Sequence, residues 1–155
     1  TNPCGAKRQI IGVYDKKLLN TFSTVAKNLE MEHVMVVHGD DGLDEISISG
    51  PTQISEYKNY KIEEYTISPQ EFGITTSPFE EISAQSSEQS LRMVQEAFSG
   101  EQSAVQDMIA LNAGAGLYIA RKVDSISDGV ELAFTLMNNG KAADKLAAYV
   151  RVSNS

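Results

Sequence analysis

Val34-Met35-Val36-Val37-His38-Gly39-Asp40-Asp41-Gly42-Leu43-Asp44-Glu45 is the stretch on which the reading of this chain turns. Its apolar half is short, rich in β-branched residues and too brief for a helix, so it reads as a buried strand, His33–His38. It breaks into a tight turn holding two glycines and four acidic residues, and Asp44 and Glu45 lead straight into the alternating segment Ile46–Ser49. Carboxylates held by backbone beyond the end of a buried strand are well placed to hold a hard divalent cation against a phosphate ligand.

The sequence on either side extends this pattern. Upstream, Gln9–Tyr14 is a second β-rich apolar run. Asp15 can cap a helix in which Leu18, Leu19, Phe22, Val25, Ala26 and Leu29 follow helical spacing. Strand, helix and strand within about thirty residues predict a parallel βαβ unit. Downstream, Glu45–Ser49, Thr52–Lys58 and Lys61–Ile67 alternate apolar and polar side chains and are joined by Gly50-Pro51 and Asn59-Tyr60. They read as shorter, half-exposed antiparallel strands. Ser68–Gln85, broken by Pro69, Gly73 and Pro78, is loop-like. Four helices are expected after it, over Ser87–Ser99, Gln102–Lys122, Ser125–Asn139 and Lys141–Val152. The expected class is α/β, with a mixed, largely parallel central sheet, flanking helices and a helical C-terminal half, as one domain over residues 1–155.

Thirteen Lys and Arg against twenty-one Asp and Glu leave a net charge of −8. That balance opposes non-specific nucleic-acid binding and docking on an anionic membrane, although a bound Mg²⁺ can invert the local field for a phosphorylated substrate. The lone cysteine, Cys4, permits no intramolecular disulfide and fits a reducing, cytoplasmic setting. No run reaches the length of a bilayer span. The chain opens at Thr1 without a methionine, so a piece of a longer polypeptide is expected.

Each candidate group has an ordinary alternative. Asp44 and Glu45 can be metal ligands or a solvated acidic turn; Gly39 and Gly42 permit positive φ and close ligand approach. Asp40 and Asp41 read as solvated, because Mg²⁺ needs only one or two carboxylates beside substrate oxygens and water. His38 could act as a general base, but reads better as a strand-end imidazole bonded to backbone. His33 has no partner in sequence and starts a strand. Lys7 and Arg8 could face an anion or be surface charge. Gly114 and Gly116 lie in a helical stretch and point to close helix packing rather than a nucleotide loop. One cysteine and two histidines match no zinc spacing, and Cys4 reads as an inert small residue.

Thr1-Asn2-Pro3 and Gly5–Tyr14, then Val36-Val37-His38-Gly39 and Gly42-Leu43-Asp44-Glu45-Ile46-Ser47, resemble the second half of the anthranilate phosphoribosyltransferase family. Pro69–Gly73, Leu111-Asn112-Ala113, Gly129–Ala133 and Gly140-Lys141-Ala142 are similar to later blocks in the same order. The resemblance implies transfer of phosphoribose from phosphoribosyl diphosphate to anthranilate, towards tryptophan, in a cleft between a small helical domain and a larger α/β domain. It implies that Asp44 and Glu45 hold Mg²⁺ against the diphosphate, with Gly39 and Gly42 shaping the loop. The family's glycine-rich diphosphate loop, Lys-His-Gly-Asn segment and anthranilate-contacting arginine match nothing in this sequence. No catalytic or substrate-binding residue is therefore assigned, and the chain alone is expected to be inactive. The family dimerises through its helical domain, so a parent homodimer and a monomeric fragment with an exposed apolar patch are expected. Ala84-Gln85 and Ser90 stand where the family commonly has Gly-Gly and Asn. A nucleoside-phosphorylase-like transferase for another base and a non-catalytic module on the same scaffold are the alternatives.

Overall fold

In the computed structural model, which describes residues 4–154, β1 (Arg8–Gly12) and β2 (His33–Gly39) pair in parallel, Arg8 opposite His33 and Gly12 opposite Val37. The crossover between them is α1 (Leu19–Asn28), so the expected βαβ unit forms. Asp15 supplies the cap: its Oδ1 accepts from Lys17 N–H at 2.9 Å, over a short 3₁₀ turn, Lys16–Leu18, that precedes α1. β3 (Thr52–Lys58) then runs antiparallel to β2, and β4 (Lys61–Ile67) antiparallel to β3. The sheet order is β1-β2-β3-β4.

Two features differ from expectation. The sheet is mixed, but only one of its three pairings is parallel. Only β1 and β2 are joined through a helix; the two-residue link 59–60 turns β3 straight back into β4, and residues 40–51, which hold no helix to carry the chain across the sheet, return β2 into β3. Residues 45–49 form no strand at all. Their main chain is claimed by side chains instead. Ile46 bonds to Asn112, Ser47 N–H donates to Thr52 Oγ1 at 2.9 Å, and Ser49 N–H donates to Ser47 Oγ at 2.9 Å. Short polar side chains of this kind compete directly with a sheet ladder.

The sheet is covered on both faces. Val34, Val36 and Tyr57 face α1 and pack with Val13, Leu19 and Ala26. Met35, Val37, Ile54 and Ile67 face the other way, towards a helical layer. That layer comprises α2 (Ser87–Phe98), α3 (Ala104–Ile119), α4 (Ile126–Asn138) and α5 (Lys141–Ser153), with α3 lying against β1 and β2. Serine side chains cap α2, α3 and α4 at Ser86, Ser103 and Ser125. Residues 68–85 are loop apart from two 3₁₀ turns, Pro69–Phe72 and Phe79–Glu81. No helix among the described residues is long and apolar enough to cross a membrane.

The expected close helix packing falls on Gly114 of α3, and its counterpart is Gly129 of α4. A Cβ on Gly114 would lie 2.6 Å from Val130 N, and one on Gly129 would lie 2.3 Å from Gly114 O. Gly116 is different, with no atom within 4 Å of its Cβ position. Alanine in a helix is favoured over glycine by about 0.5–1 kcal/mol. At Gly129 the clash is with backbone, which cannot rotate away, and overpacking of about 1–3 kcal/mol outweighs that gain. Gly129→Ala is therefore expected to lower the urea midpoint and Gly116→Ala to raise it. Equal midpoints for the two variants would show that the α3–α4 crossing does not depend on these glycines.

Candidate functional site

The loop after β2 is built by main-chain bonds and by two of its own acids. Gly39 N–H donates to Leu43 O at 2.8 Å, Gly42 N–H to Gly39 O at 2.9 Å, and Asp40 N–H to Pro51 O at 2.9 Å. Gly42 sits at φ +95°, a region that glycine enters without strain. A Cβ on Gly39 would fall 2.5 Å from Asp41 Oδ1. Asp40 Oδ1 accepts from Gln53 Nε2 at 2.6 Å. Asp41 accepts from Ser47 Oγ at 2.5 Å and from Leu43 N–H at 3.2 Å. Both carboxylates are thus committed to holding the loop, rather than simply solvated.

Asp44 and Glu45 are used differently. Both are exposed, and among the described residues neither carboxylate takes part in a hydrogen bond or ion pair. Their backbone, by contrast, is fixed. From α3, Asn112 grips both polar main-chain groups of Ile46: Oδ1 accepts from Ile46 N–H at 3.0 Å and Nδ2 donates to Ile46 O at 2.8 Å. From β1, Gly12 lies so close to Asp44 that a Cβ there would sit 1.6 Å from Asp44 O. The sequence reading assigned no site role to either residue. For Asn112 a signal was available, since an amide inside an apolar helix must find partners. For Gly12 there was none, because the approach is made by a segment more than thirty residues away in sequence.

The acidic pair forms the polar rim of a cleft of about 440 Å³ whose wall includes Phe79, Ile82, Met93, Val94 and Met108. Ala84 and Ser90 line the same cleft. His38 Nδ1 lies 2.8 Å from Val13 O, as expected for a strand-end imidazole; a carbonyl can only accept, so Nδ1 carries the proton. Among the described residues no three His, Cys, Asp or Glu side chains converge to hold a metal ion by themselves. Lys7 and Arg8 are not part of the site. Arg8 pairs with Glu32 at 2.7 Å and Lys7 Nζ donates to Glu30 O at 3.4 Å, at the opposite end of the sheet. Cys4 is exposed, and Thr1-Asn2-Pro3 lie outside the described residues.

A second polar cluster lies at that opposite end. His33, expected to have no partner, is fully buried, with Nε2 2.5 Å from Glu56 Oε1. Antiparallel pairing places Glu56 opposite Met35, on the face that His33 shares. Tyr65 donates to Glu56 Oε2 at 2.8 Å and Tyr118 to Oε1 at 2.9 Å, while Lys58 Nζ donates to Tyr118 at 3.0 Å. Burial pushes the Glu56 carboxyl up. The hydrogen bonds from His33, Tyr65 and Tyr118, with the charge on His33, outweigh it and hold Glu56 below its ordinary value. The cluster ties α3 to the sheet.

Comparison with known proteins agrees with this architecture. The model of the glycosyl transferase family a/b domain matches residues 1–143. The anthranilate phosphoribosyltransferase of Halorhodospira halophila is 43% identical over 150 residues, covering 97% of this chain and 44% of the relative. That of Nitrosomonas eutropha is 40% identical over 154 residues, covering 99% of this chain and 45% of its own length. Among solved structures, the Thermus thermophilus enzyme of that name superposes with a TM-score of 0.88 at 30% identity, over 100% of this chain and 46% of its own. The Saccharomyces cerevisiae enzyme, solved in complex with PRPP and Mg, superposes with a TM-score of 0.82 at 22% identity, over 94% of this chain and 43% of its own, a likeness of fold. The chain spans a little under half the length of these relatives. With the family's a/b-domain model matching residues 1–143 and the fold shared, the chain belongs to the glycosyl transferase family.

Proposed function

We propose that this chain is the magnesium-holding part of an anthranilate phosphoribosyltransferase, in which Asp44 and Glu45 present Mg²⁺ to the diphosphate of phosphoribosyl diphosphate. One observation carries the reading: two adjacent carboxylates with no partner, on a main chain fixed from both β1 and α3. The relatives' names and the magnesium complex of the yeast enzyme point the same way.

The residues fit the ion. Mg²⁺ takes hard oxygen donors, is usually held by one or two carboxylates, and fills its remaining positions with water and substrate phosphate oxygens. Two carboxylates without a third ligand suit an ion that arrives with a diphosphate and suit a self-contained protein cage poorly. Bound there, Mg²⁺ would supply charge neutralisation on the departing diphosphate. The chain's own contribution is positional. Asn112 and Gly12 fix the loop, and Asp41 keeps its turn closed, so the two free acids are held in place before any ligand arrives. Such pre-positioning suits a reaction whose sugar carbon becomes cation-like, where orientation and electrostatics supply most of the acceleration. In this reading the remaining contacts to phosphoribosyl diphosphate and to anthranilate come from polypeptide outside this chain, and the chain alone does not turn over.

Titration with Mg²⁺ and inorganic pyrophosphate, followed by amide NMR, tests this. Saturable shifts centred on Leu43, Asp44, Glu45 and Ile46 are expected, and they should vanish when Asp44→Asn and Glu45→Gln are combined. Shifts that leave these four signals in place would remove the loop from the metal site.

A further inference from the structure

The helix α3 is apolar round most of its circumference. Of its 16 residues only Gln106, Asp107 and Asn112 have wholly polar side chains, and Tyr118 adds a hydroxyl. It packs against the sheet and against α2 and α4. Apolar burial has no direction, so it keeps such a helix in its layer without fixing how far the helix is turned or slid. The close crossing at Gly114 and Gly129 presents backbone to backbone and brings no side chain to lock the rotation. Directional bonds must do that, and satisfied buried polar groups are what specify one arrangement of a core.

Gln106, Asn112 and Tyr118 supply those bonds at even intervals along the helix. Near its start, buried Gln106 donates through Nε2 to Ala97 O of α2 at 3.1 Å and to Asn138 Oδ1 of α4 at 3.0 Å. In the middle, Asn112 grips the N–H and C=O of Ile46. Near its end, the Tyr118 hydroxyl donates to Glu56 Oε1 at 2.9 Å and accepts from Lys58 Nζ at 3.0 Å. The Tyr118 ring stands edge-on to buried His33, with 5.1 Å between centroids, and Lys58 Nζ lies 4.6 Å from its centre. Gln106 and Tyr118 are therefore tied to helices and strands, whereas Asn112 is tied to the acidic loop.

We propose that Tyr118 is a positioning residue for the acidic loop and acts through α3. Together with Gln106 it sets the turn and height of the helix, and Asn112 passes that placement to Ile46 and so to Asp44 and Glu45. A helix rises 1.5 Å per residue, so Asn112 stands about 9 Å along the axis from each anchor. Between two pinned points on a rigid helix its amide has one place to be. Released at the Tyr118 end, the helix can turn against apolar neighbours that impose no direction. A small rotation then carries the Asn112 amide off Ile46, because hydrogen bonds weaken steeply with angle. The cluster around Glu56 thus governs a loop that it does not touch. Its bearing on magnesium rests on the role proposed for Asp44 and Glu45; the placement of the loop does not.

The test is amide hydrogen exchange in this chain, without metal. Tyr118→Phe keeps the ring beside His33 and Lys58 and removes only the hydroxyl. The buried amides of β2 register any general loss of stability. Relative to them, Ile46 N–H, which donates to Asn112 Oδ1, is expected to exchange at least about tenfold faster in the variant. Gln106→Met, which releases the other anchor, should give the same local signature. In an Asn112→Ala background Ile46 has already lost its partner, so adding Tyr118→Phe should bring no further local gain, the mark of action through Asn112. The proposal is overturned if Ile46 gains no more than the β2 amides in Tyr118→Phe. It is overturned equally if Tyr118→Phe frees Ile46 as much without Asn112 as with it. No metal enters the measurement, so a failed positioning role and a failed magnesium site are told apart.

Discussion

Asp44→Asn combined with Glu45→Gln, placed in a polypeptide that carries this chain within the full length of its relatives, is expected to lower magnesium-dependent phosphoribosyl transfer by about 10²–10⁴-fold. Lewis-acid neutralisation of a developing phosphate charge supplies several kcal/mol, and each 1.36 kcal/mol is a factor of ten in rate. Losing most of it gives a fall of that size. The amides keep the shape of the acids and remove their charge. Neither carboxylate has a partner to leave stranded, so stability should move by no more than about 0.5 kcal/mol, as for other surface substitutions. The combination of lost turnover and retained denaturation midpoint is the signature. Asp41→Asn is the contrasting control, because Asp41 accepts from Ser47 Oγ and Leu43 N–H. It should loosen the loop and shift the midpoint, although the acids at 44 and 45 remain. Steady-state rates against magnesium concentration, beside urea unfolding, separate the cases. Undiminished turnover in the double variant would exclude these acids from the reaction.

The elements that could be read from sequence are those whose evidence is local. Thr52–Lys58 and Lys61–Ile67 stand as strands with the bounds their alternation implies, because side-chain period and turn residues lie within each segment. Asp15 and the four C-terminal helices are legible for the same reason. The misreadings share a different cause. Residues 45–49 alternate like a strand, but their hydrogen bonds are taken by Asn112, 66 residues from Ile46, and by Thr52 and Ser47 side chains. The antiparallel pairing of β2 with β3 is made across residues 40–51, which hold no crossover helix, and the alternation of residues 45–49 hid that irregular loop. His33 looked unpartnered because Glu56, 23 residues on, reaches it only through the β2–β3 register. At the candidate site, the acids and the two loop glycines were visible as a motif. The supports supplied by Gly12 and Asn112 became visible only when β1 and α3 were folded against the loop.

Glu56→Ala is expected to cost about 3–5 kcal/mol, the usual consequence of removing one partner of a buried pair. Glu56 is 7% exposed and His33 fully buried. Truncation would leave buried His33 Nε2 and the hydroxyls of Tyr65 and Tyr118 without their hydrogen-bond partner. Glu56→Gln keeps the volume and one acceptor oxygen, so its loss should be smaller, about 1.5–3 kcal/mol for hydrogen bonds to a charged group. The pH dependence identifies the cause. Despite burial, His33, Tyr65 and Tyr118 hold the folded carboxyl below its ordinary value near 4.5, so the unfolded chain takes up the proton first. The stabilisation is therefore complete above the ordinary carboxylate range and is lost as pH falls through the lower folded value. The gap between wild type and Glu56→Ala should narrow over that acidic interval. At the alkaline end burial, followed by the Glu56 charge, raises Tyr65 above its ordinary 10.0. The unfolded tyrosine thus ionises first, and stability falls as pH rises beyond about 10. Removing Glu56 leaves burial as the principal cause of that shift and should soften the alkaline slope. Urea unfolding of the three proteins from pH 3 to pH 11 decides the matter. A Glu56→Ala deficit constant across that range would mean that lost packing, rather than the ionised cluster, sets the cost.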